Sequence, residues 1–425
     1  MDRISTQQRD AAARRAQNAN VARPGEIDMR PPLPVSALVW ALIATLTPAA
    51  GAASPIPLSG NPPSADISPL PGPGLVPVIV HPRFGGRIFG FDIDPGGSEG
   101  ILSEAQTQGD GTVLAAVETF DQRTGAILHV VARRNAQDDY VTLGVVGQHV
   151  ALVEYEHEVA FLDVVRTFPE IAPLAANHFT GQWQPPIDDH HLIEAVSRNH
   201  GTRTFVAYAY DNSENFEPQV FRSNLGDGTF GPLVVLTDAS FQTGLVPKLA
   251  YDESTKRALL GIQTIGNAFI PPTFALVDIS SGATTMFSGV GQGDVNGLAI
   301  DPGTKIACAT TEIDFSVQFY DLATLTGFSQ PLPGATNQLF SGADVAVDPI
   351  HHLFLVAQPI SSTSPSGSSI HVYDEDGTLV ESLDGFNFSN AGNVVGMRIA
   401  LHPRWRYGFV DGPDPGVSQI QSFFY

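Results

Sequence analysis

The chain has 425 residues, of which 43% are hydrophobic, with 41 Gly and 33 Pro; that is enough apolar material for a large core and enough turn formers for many short elements, which excludes a disordered chain. Its formal charge of −22 comes from 22 Lys and Arg against 44 Asp and Glu, and a field of that sign repels phosphate backbones, so no nucleic-acid partner is expected. A single cysteine, Cys308, set in an apolar run, excludes a disulfide framework and a cysteine metal cluster.

The first 53 residues read as a targeting segment. Val35 to Leu46 is an apolar stretch too short to span a bilayer, and Ala50-Gly-Ala52 after it supplies a small-residue cleavage site. The stretch from Met1 to Asp28 is long and mixed in charge, whereas Met29-Arg30 followed by the apolar run makes a compact secretory leader, so translation is expected to start at Met29. Arg14-Arg15 lacks an apolar run directly behind it, and no cysteine follows the apolar segment, so neither a twin-arginine signal nor a lipid anchor is expected. The mature chain is then secreted or periplasmic, without a membrane span, and carries sixteen basic against forty acidic residues. Residues 54 to 75, rich in proline through Pro71-Gly-Pro-Gly74, read as an extended linker, and 76 to 425 as one folded domain.

Within that domain five segments share one register: Ala195 to Asn199, Lys248 to Asp252, Gly297 to Asp301, Asp344 to Asp348 and Arg398 to His402. Their third residue is always Ala or Ser, and it recurs at spacings of 53, 49, 47 and 54. Four residues after each segment's last residue a second apolar run begins, at Arg203, Lys256, Lys305, His352 and Arg406. A strand, a four-residue turn and a second strand at this period match one propeller blade. Third strands follow in Leu114 to Gly125, Val317 to Gly327 and Ile370 to Gly377, each carrying an aromatic-Asp pair or ending in a Gly turn. Tyr140 to Val146 with His149 to Glu154 adds a strand pair, and Val76 to Phe84 mirrors Met397 to Trp405. Turn positions near His81, Val146, Asn199, Asp252, Asp301, Asp348 and His402 give seven repeats, so the expected fold is all-β, a seven-bladed β-propeller of four-stranded antiparallel blades. The last repeat stops after its third strand at Tyr425, so a segment within Ile56 to Val80 is expected to complete that sheet.

Ala346-Val-Asp-Pro349 followed by an apolar strand, then Val372-Tyr-Asp374 and a Gly turn, resembles the bacterial YVTN-type and NHL-like β-propellers, a superfamily with lactonase-type members. The likeness covers 76 to 425. It implies the fold and leaves the activity open, because such propellers include enzymes, adhesins, redox subunits and binding scaffolds. Repeated Trp-Asp endings of the WD40 kind are absent, and three tryptophans, Trp40, Trp183 and Trp405, are too few for the docking motifs of quinone-dependent propeller dehydrogenases.

Blade geometry gathers the candidate site residues on one face. The residue two before each small Ala or Ser is expected at the mouth of the central channel: Ala195, Lys248, Gly297, Asp344 and Arg398, with Glu194, Asn296 and Asn393 adjacent. Lys248, Asp344 and Arg398 with these amides and Glu194 suit a small polar or anionic ligand, or else neutralise one another at a wet opening. On the same face the second strands end near Glu154, Asp211, Gln263, Glu312, Gln358 and Asp411, with Glu156, His157, Glu158, Asp314 and Asp414 in the loops beyond. Glu154, His157, His191 (from Asp188-Asp-His-His191), Glu312 and Asp411 form a candidate ligand set for a divalent cation such as calcium, and solvated acidic loops account for the same residues without an ion. His351-His352 falls in a turn on the opposite face and reads as surface. Asp-Gly-Thr at Asp110, Asp227 and Asp376 reads as hairpin turns; Asn224 to Phe230 resembles a fragment of an integrin-type FG-GAP repeat, but neither it nor Asp374 to Glu381 has full calcium-loop spacing. With no Gly-x-Ser-x-Gly, His-Glu-x-x-His or phosphate loop present, two functions remain: a binding scaffold, monomeric, for a small polar ligand, a glycan or a protein, and a lactonase-like hydrolase.

Overall fold

The computed structural model describes residues 78–94, 98–109, 113–136, 139–147, 150–157, 170–173, 181–182, 191–199, 204–211, 218–224, 229–230, 234–238, 241, 248–262, 270–311, 314, 316–333, 344–358, 368–386, 398–412 and 419–425, with backbone only between 131 and 205 and at 87, 89, 105, 107, 113, 115, 207, 209–211, 218–219, 221–224, 229–230, 385 and 412. The chain divides into two compact units, Met1–Ser68 and Pro69–Tyr425, and every described residue lies in the second. The leader and the proline-rich linker fall outside the described residues up to Pro77.

After a two-residue strand β1 (Ile79–Val80), the first sheet runs through β2 (Arg87–Ile93), β3 (Glu99–Thr107), β4 (Val113–Asp121) and β5 (Ile127–Ala136). The second holds β6 (Asp139–Gly147), β7 (Val150–His157), β8 (Glu170–Pro173) and β9 (Gly181–Gln182). The third holds β10 (His191–Asn199), β11 (Thr204–Asp211) and β12 (Pro218–Asn224), with β13 (Thr229–Phe230) and β14 (Val234–Val235) both pairing β12. The fourth is β15 (Lys248–Asp252), β16 (Arg257–Ile262), β17 (Thr273–Asp278) and β18 (Thr284–Ser288); the fifth is β19 (Val295–Ile300), β20 (Ile306–Thr311), β21 (Ser316–Asp321) and β22 (Thr326–Pro331). The sixth is β23 (Asp344–Asp348), β24 (Leu353–Gln358), β25 (Ser368–Tyr373) and β26 (Leu379–Phe386). In the seventh, β27 (Ile399–His402), β28 (Tyr407–Gly412) and β29 (Gln419–Phe424) are joined at the edge by β1.

All pairings are antiparallel, and each sheet except the last is built from consecutive strands. The first strand of every sheet lies beside the first strand of the next, from β2 through β6, β10, β15, β19 and β23 to β27, which lies beside β2. β1 supplies the segment the sequence demanded: Ile79 faces Gln421 and Val80 faces Ile420, so the β29 edge is covered.

The sheets are held together by apolar side chains that alternate between their two faces. On β21, Tyr320 packs back on Phe274 of the fourth sheet (4.9 Å between ring centres), and its neighbour Phe319 packs forward on Phe354 of the sixth (5.7 Å). Phe120 on β4 meets Phe409 of the seventh sheet in the same way. The aromatic-Asp pairs legible in the sequence are therefore joints between sheets. Tyr320, Phe319, Phe274, Phe354 and Phe120 are fully buried, each contributing about 2 to 3 kcal/mol of apolar burial. Because second and third strands are covered on both faces, they read as continuous apolar runs; the outer β18 and β22 alternate between half-buried and exposed.

The repeated Ala sits between neighbouring first strands. Ala250 shares a core cluster with Val295 and Leu298 of the next sheet, Ala299 with Val345 and Phe354, and Ala400 with Phe91 and Ile93. These side chains thus pack sideways between sheets, where the first strands converge and leave room for little more than a methyl group.

One correction concerns the first repeat. His81 follows the edge strand β1 and is no turn between first and second strands; β2 is the first strand, and its Gly90-Phe-Asp-Ile-Asp94 aligns with Gly297-Leu-Ala-Ile-Asp301. Asp92 stands where the other repeats have Ala or Ser, which hid the match. Although buried, Asp92 accepts the N–H of Ile93 at 2.8 Å.

The turn after the first strand is specified chemically. Asp252, Asp301 and Asp348 each accept the N–H two residues on, from Ser254, Gly303 and Ile350, forming Asx turns. The turn's last residue is left-handed: Lys256, Lys305, His352 and Arg406 have φ between 50° and 65°. That conformation costs roughly 1 kcal/mol for a residue with a Cβ. At two of these positions the side chain bridges back to the preceding sheet's buried carboxylate, Lys305 to Asp252 at 2.8 Å and His352 to Asp301 at 2.7 Å. Asp348 is reached instead by the phenol of Tyr425 at 3.1 Å.

Candidate functional site

The first strands β15 and β23 carry Lys248 and Asp344 two residues before the small side chain, Arg398 stands at the equivalent place just before β27, and all three lie along one rim. Lys248 on β15 approaches Asp344 on β23 to 4.0 Å, passing over the intervening β19. Gly297 makes this possible: a Cβ there would lie 2.7 Å from the Val345 nitrogen and 2.8 Å from the Asp344 Cα, so any side chain would collide with the β23 backbone. Asp344 Oδ2 also accepts the N–H of Ile399 at 3.0 Å, which ties β23 to β27. Next along the same rim, Asp411 on β28 accepts the backbone N–H of Arg398 through Oδ1, and its own N–H donates to the Arg398 carbonyl at 3.2 Å.

Lys248, Asp344, Arg398 and Asp411 thus form a continuous polar arc over the fourth to seventh sheets. Burial pushes the Asp411 carboxyl up to about 7; the backbone N–H and the charge of Arg398 oppose the rise, and Asp344 adds to it. With Asp411 protonated, the arc holds two cations and one carboxylate. Such a set attracts an anionic or hydrogen-bonding group. Lys248 keeps about a third of its side chain in solvent (33% exposed) and Asp344 keeps 17%, so the arc is reachable from outside.

Asn296 is the extra residue of a β-bulge between Val295 and Gly297, opposite β20. Glu194 occupies the same bulge in β10, between Ile193 and Ala195, and Phe89 repeats it in β2. A bulge re-aims its residue out of the ladder and often borders a site. Asn296 and Glu194, candidate ligand-binding residues beside the mouth positions Gly297 and Ala195, therefore stand where the regular strand alternation breaks. Ala195 follows the bulge on β10, paired with Tyr208.

The expected metal set is not assembled by what is described. Glu154 and His157 lie on β7 and His191 opens β10, strands described by backbone alone; Glu312 and Asn393 lie outside the described residues. Asp411 has its carboxylate turned to a backbone N–H within the protein, the donor pattern of a structural carboxylate. Among the described residues no three His, Cys, Asp or Glu side chains group to hold a metal ion. His351 and His352, read as surface, are half-exposed but bonded through Nδ1 to the buried Asp348 and Asp301.

One further polar system escaped the sequence reading. At equivalent positions on the third strands stand Glu118, Gln318 and His371, all buried, each beside a polar residue of the second strand, Glu104, Thr311 or Gln358. Gln318 donates to Thr311 at 3.0 Å, and His371 bridges Gln358 and Ser382. Burial pushes His371 down to about 4, against the pull of Asp384, so its ring is neutral and Nε2–H donates to Gln358. Their signal was a polar residue inside an otherwise apolar third strand.

No family model matches the chain, and no curated protein does. Solved structures do resemble it. U3-55K aligns with a TM-score of 0.56 and 12% identity over 82% of this chain and 99% of that one. The RRP9 WD40 repeats align at 0.55 and 12%, over 82% and 98%. A chain of the Kuenenia stuttgartiensis hydrazine synthase aligns at 0.55 and 12%, over 80% and 96%. The chain has a β-propeller fold, which it shares with WD40-repeat propellers although it lacks their Trp-Asp endings. At this identity the likeness speaks for the fold alone.

Proposed function

We propose that the chain is an exported, secreted or periplasmic seven-bladed β-propeller of the YVTN and NHL-like kind that works as a monomeric binding scaffold, engaging a small polar ligand, a glycan or a protein through the channel-mouth face. The observation that carries this reading is the Lys248, Asp344, Arg398 and Asp411 arc, a charged and partly solvated group on a rim that carries Gly90, Ala195 and Gly297 at equivalent positions. The seven antiparallel sheets and the return of β27 to β2 support the blade count. The apolar run at Val35 to Leu46 supports export.

The test is a binding screen of the intact chain against carboxylate-bearing ligands, acidic glycans and peptides, repeated with Lys248→Ala and Arg398→Ala. Binding that either substitution weakens at least tenfold, with unfolding midpoints unchanged, supports the scaffold reading; binding indifferent to both sinks it. The same preparation is assayed for lactone opening with calcium present and chelated. Turnover that is lost in Asp411→Asn would move the site to the hydrolase reading.

A further inference from the structure

Glu104 on β3 and Glu118 on β4 are buried in the first sheet, 1% and 0% exposed. Both reach the same short segment. Glu104 accepts the N–H of Phe84 at 2.8 Å and that of Gly86 at 2.6 Å, one on each oxygen, and Glu118 Oε2 accepts the N–H of Arg83 at 2.9 Å. These donors belong to the connection between β1 and β2, which carries the chain from the edge of the seventh sheet to the first strand of the first. On its other side β1 pairs two residues with β29, supplemented by Val78 N–H to the Ser422 hydroxyl at 2.7 Å and Ser422 N–H to the Val78 carbonyl at 2.9 Å, and Val80 is buried in the core beside Phe409 and Ile420.

The fourth oxygen of the pair, Glu118 Oε1, is sealed from solvent and has no hydrogen-bond partner. Three N–H donors serve two carboxyl groups, and among the described residues no cation is hydrogen-bonded to either carboxyl, so a second negative charge is poorly compensated. Among the described residues, the ionisable groups acting on Glu118 are Glu104, which repels, and Arg83, whose exposed side chain attracts. Burial, opposed by the Arg83 N–H and aided by Glu104, raises Glu118 to about 7, and burial raises Glu104 as well.

We propose that Glu104 and Glu118 form a proton-dependent latch on the Arg83–Gly86 segment, clasped while the pair keeps one proton and loosened, together with β1, when both carboxyls are ionised. The sign follows from linkage. A carboxyl raised in the closed state holds its proton there and releases it on opening, so the latch is fully closed below the ordinary glutamate range and weakens as pH climbs through about 7. The connection that completes the seventh sheet thereby reports the acidity of its surroundings, a property of use to an exported protein.

Amide hydrogen exchange of the intact chain tests this. In a peptide covering residues 79–90, protection corrected for intrinsic exchange is expected to fall about tenfold between about pH 6 and pH 8, while β20 keeps its protection. Glu118→Gln retains an oxygen for the Arg83 N–H and carries no charge; it is expected to stay at the protected level throughout. A flat profile in the unsubstituted protein overturns the latch. So does a fall that persists unchanged in Glu118→Gln or one that vanishes in Asp411→Asn, the other carboxyl raised to about 7. Should Glu118→Gln fail to fold, the profile of the unsubstituted protein and the Asp411→Asn control decide between the same outcomes.

Discussion

The ammonium of Lys305 donates to Asp252 Oδ2 at 2.8 Å, joining the fifth sheet to a carboxylate 1% exposed in the turn of the fourth. Lys305 also meets the Ser254 hydroxyl and the Pro302 carbonyl, so the charge is held by three oxygens.

Replacing Lys305 with Met leaves Asp252 buried without its cation. Burial works to raise this carboxyl, but hydrogen bonds from Lys305, Thr255 and Ser254 outweigh it and hold it below the usual range. A depressed carboxyl stabilises the fold above its ordinary value and loses that contribution as pH falls through the depressed one. Lys305→Met is therefore expected to cost about 2 kcal/mol at neutral pH, since Lys305 is partly solvated, and less in acid, where Asp252 takes up a proton. Urea denaturation at both pH values measures the difference.

Gly297→Ala places a Cβ against the β23 backbone at 2.7 to 2.8 Å. Backbone cannot move aside as a side-chain tip can, so β19 and β23 must separate. A loss of about 1 to 3 kcal/mol is expected, read by chemical unfolding, together with weaker ligand binding wherever Lys248 and Asp344 contribute.

Asp411→Asn keeps an oxygen for the Arg398 N–H and removes a charge that burial opposes. In the unsubstituted protein this carboxyl, raised to about 7, contributes stability that is complete below its unfolded value of 3.8 and is lost as pH climbs through about 7. The variant lacks that slope, and at alkaline pH it is expected to equal or exceed the parent by on the order of 1 to 2 kcal/mol. Denaturation midpoints across pH 5 to 9 measure it; a parent curve without the slope contradicts the assignment.

Gly125 has φ +74, and a Cβ on it would fall 2.3 Å from the carbonyl oxygen of Ile79. Gly125→Ala combines left-handed strain with a clash on β1, so about 2 kcal/mol of destabilisation is expected, with faster proteolysis after Arg83. Gly282, also left-handed (φ +77) but 3.7 Å from its nearest neighbour, serves as the control, with Gly282→Ala expected to cost only the strain.

The sequence by itself determined the repeating unit. A small residue third in the strand, an Asx turn opened by Asp252, Asp301 or Asp348, and an aromatic before Asp321 or Asp374 are each set by local geometry, so they recur wherever that geometry does. It placed Lys248, Asp344 and Arg398 at equivalent positions for the same reason. It misjudged the first repeat because Asp92 broke the small-residue rule, and a charged side chain gives no sign along the strand that the packed sheets will bury it. The tertiary structure alone decided that Lys248 crosses Gly297 to reach Asp344, that the turn-ending Lys305 and His352 reach the preceding sheet, and that Glu104 and Glu118 clasp the connection from β1 to β2. Contacts between sheets depend on how closely two first strands approach and on what the intervening residue lacks. Such distances belong to pairs of residues tens of positions apart, and periodicity along one strand carries no record of them.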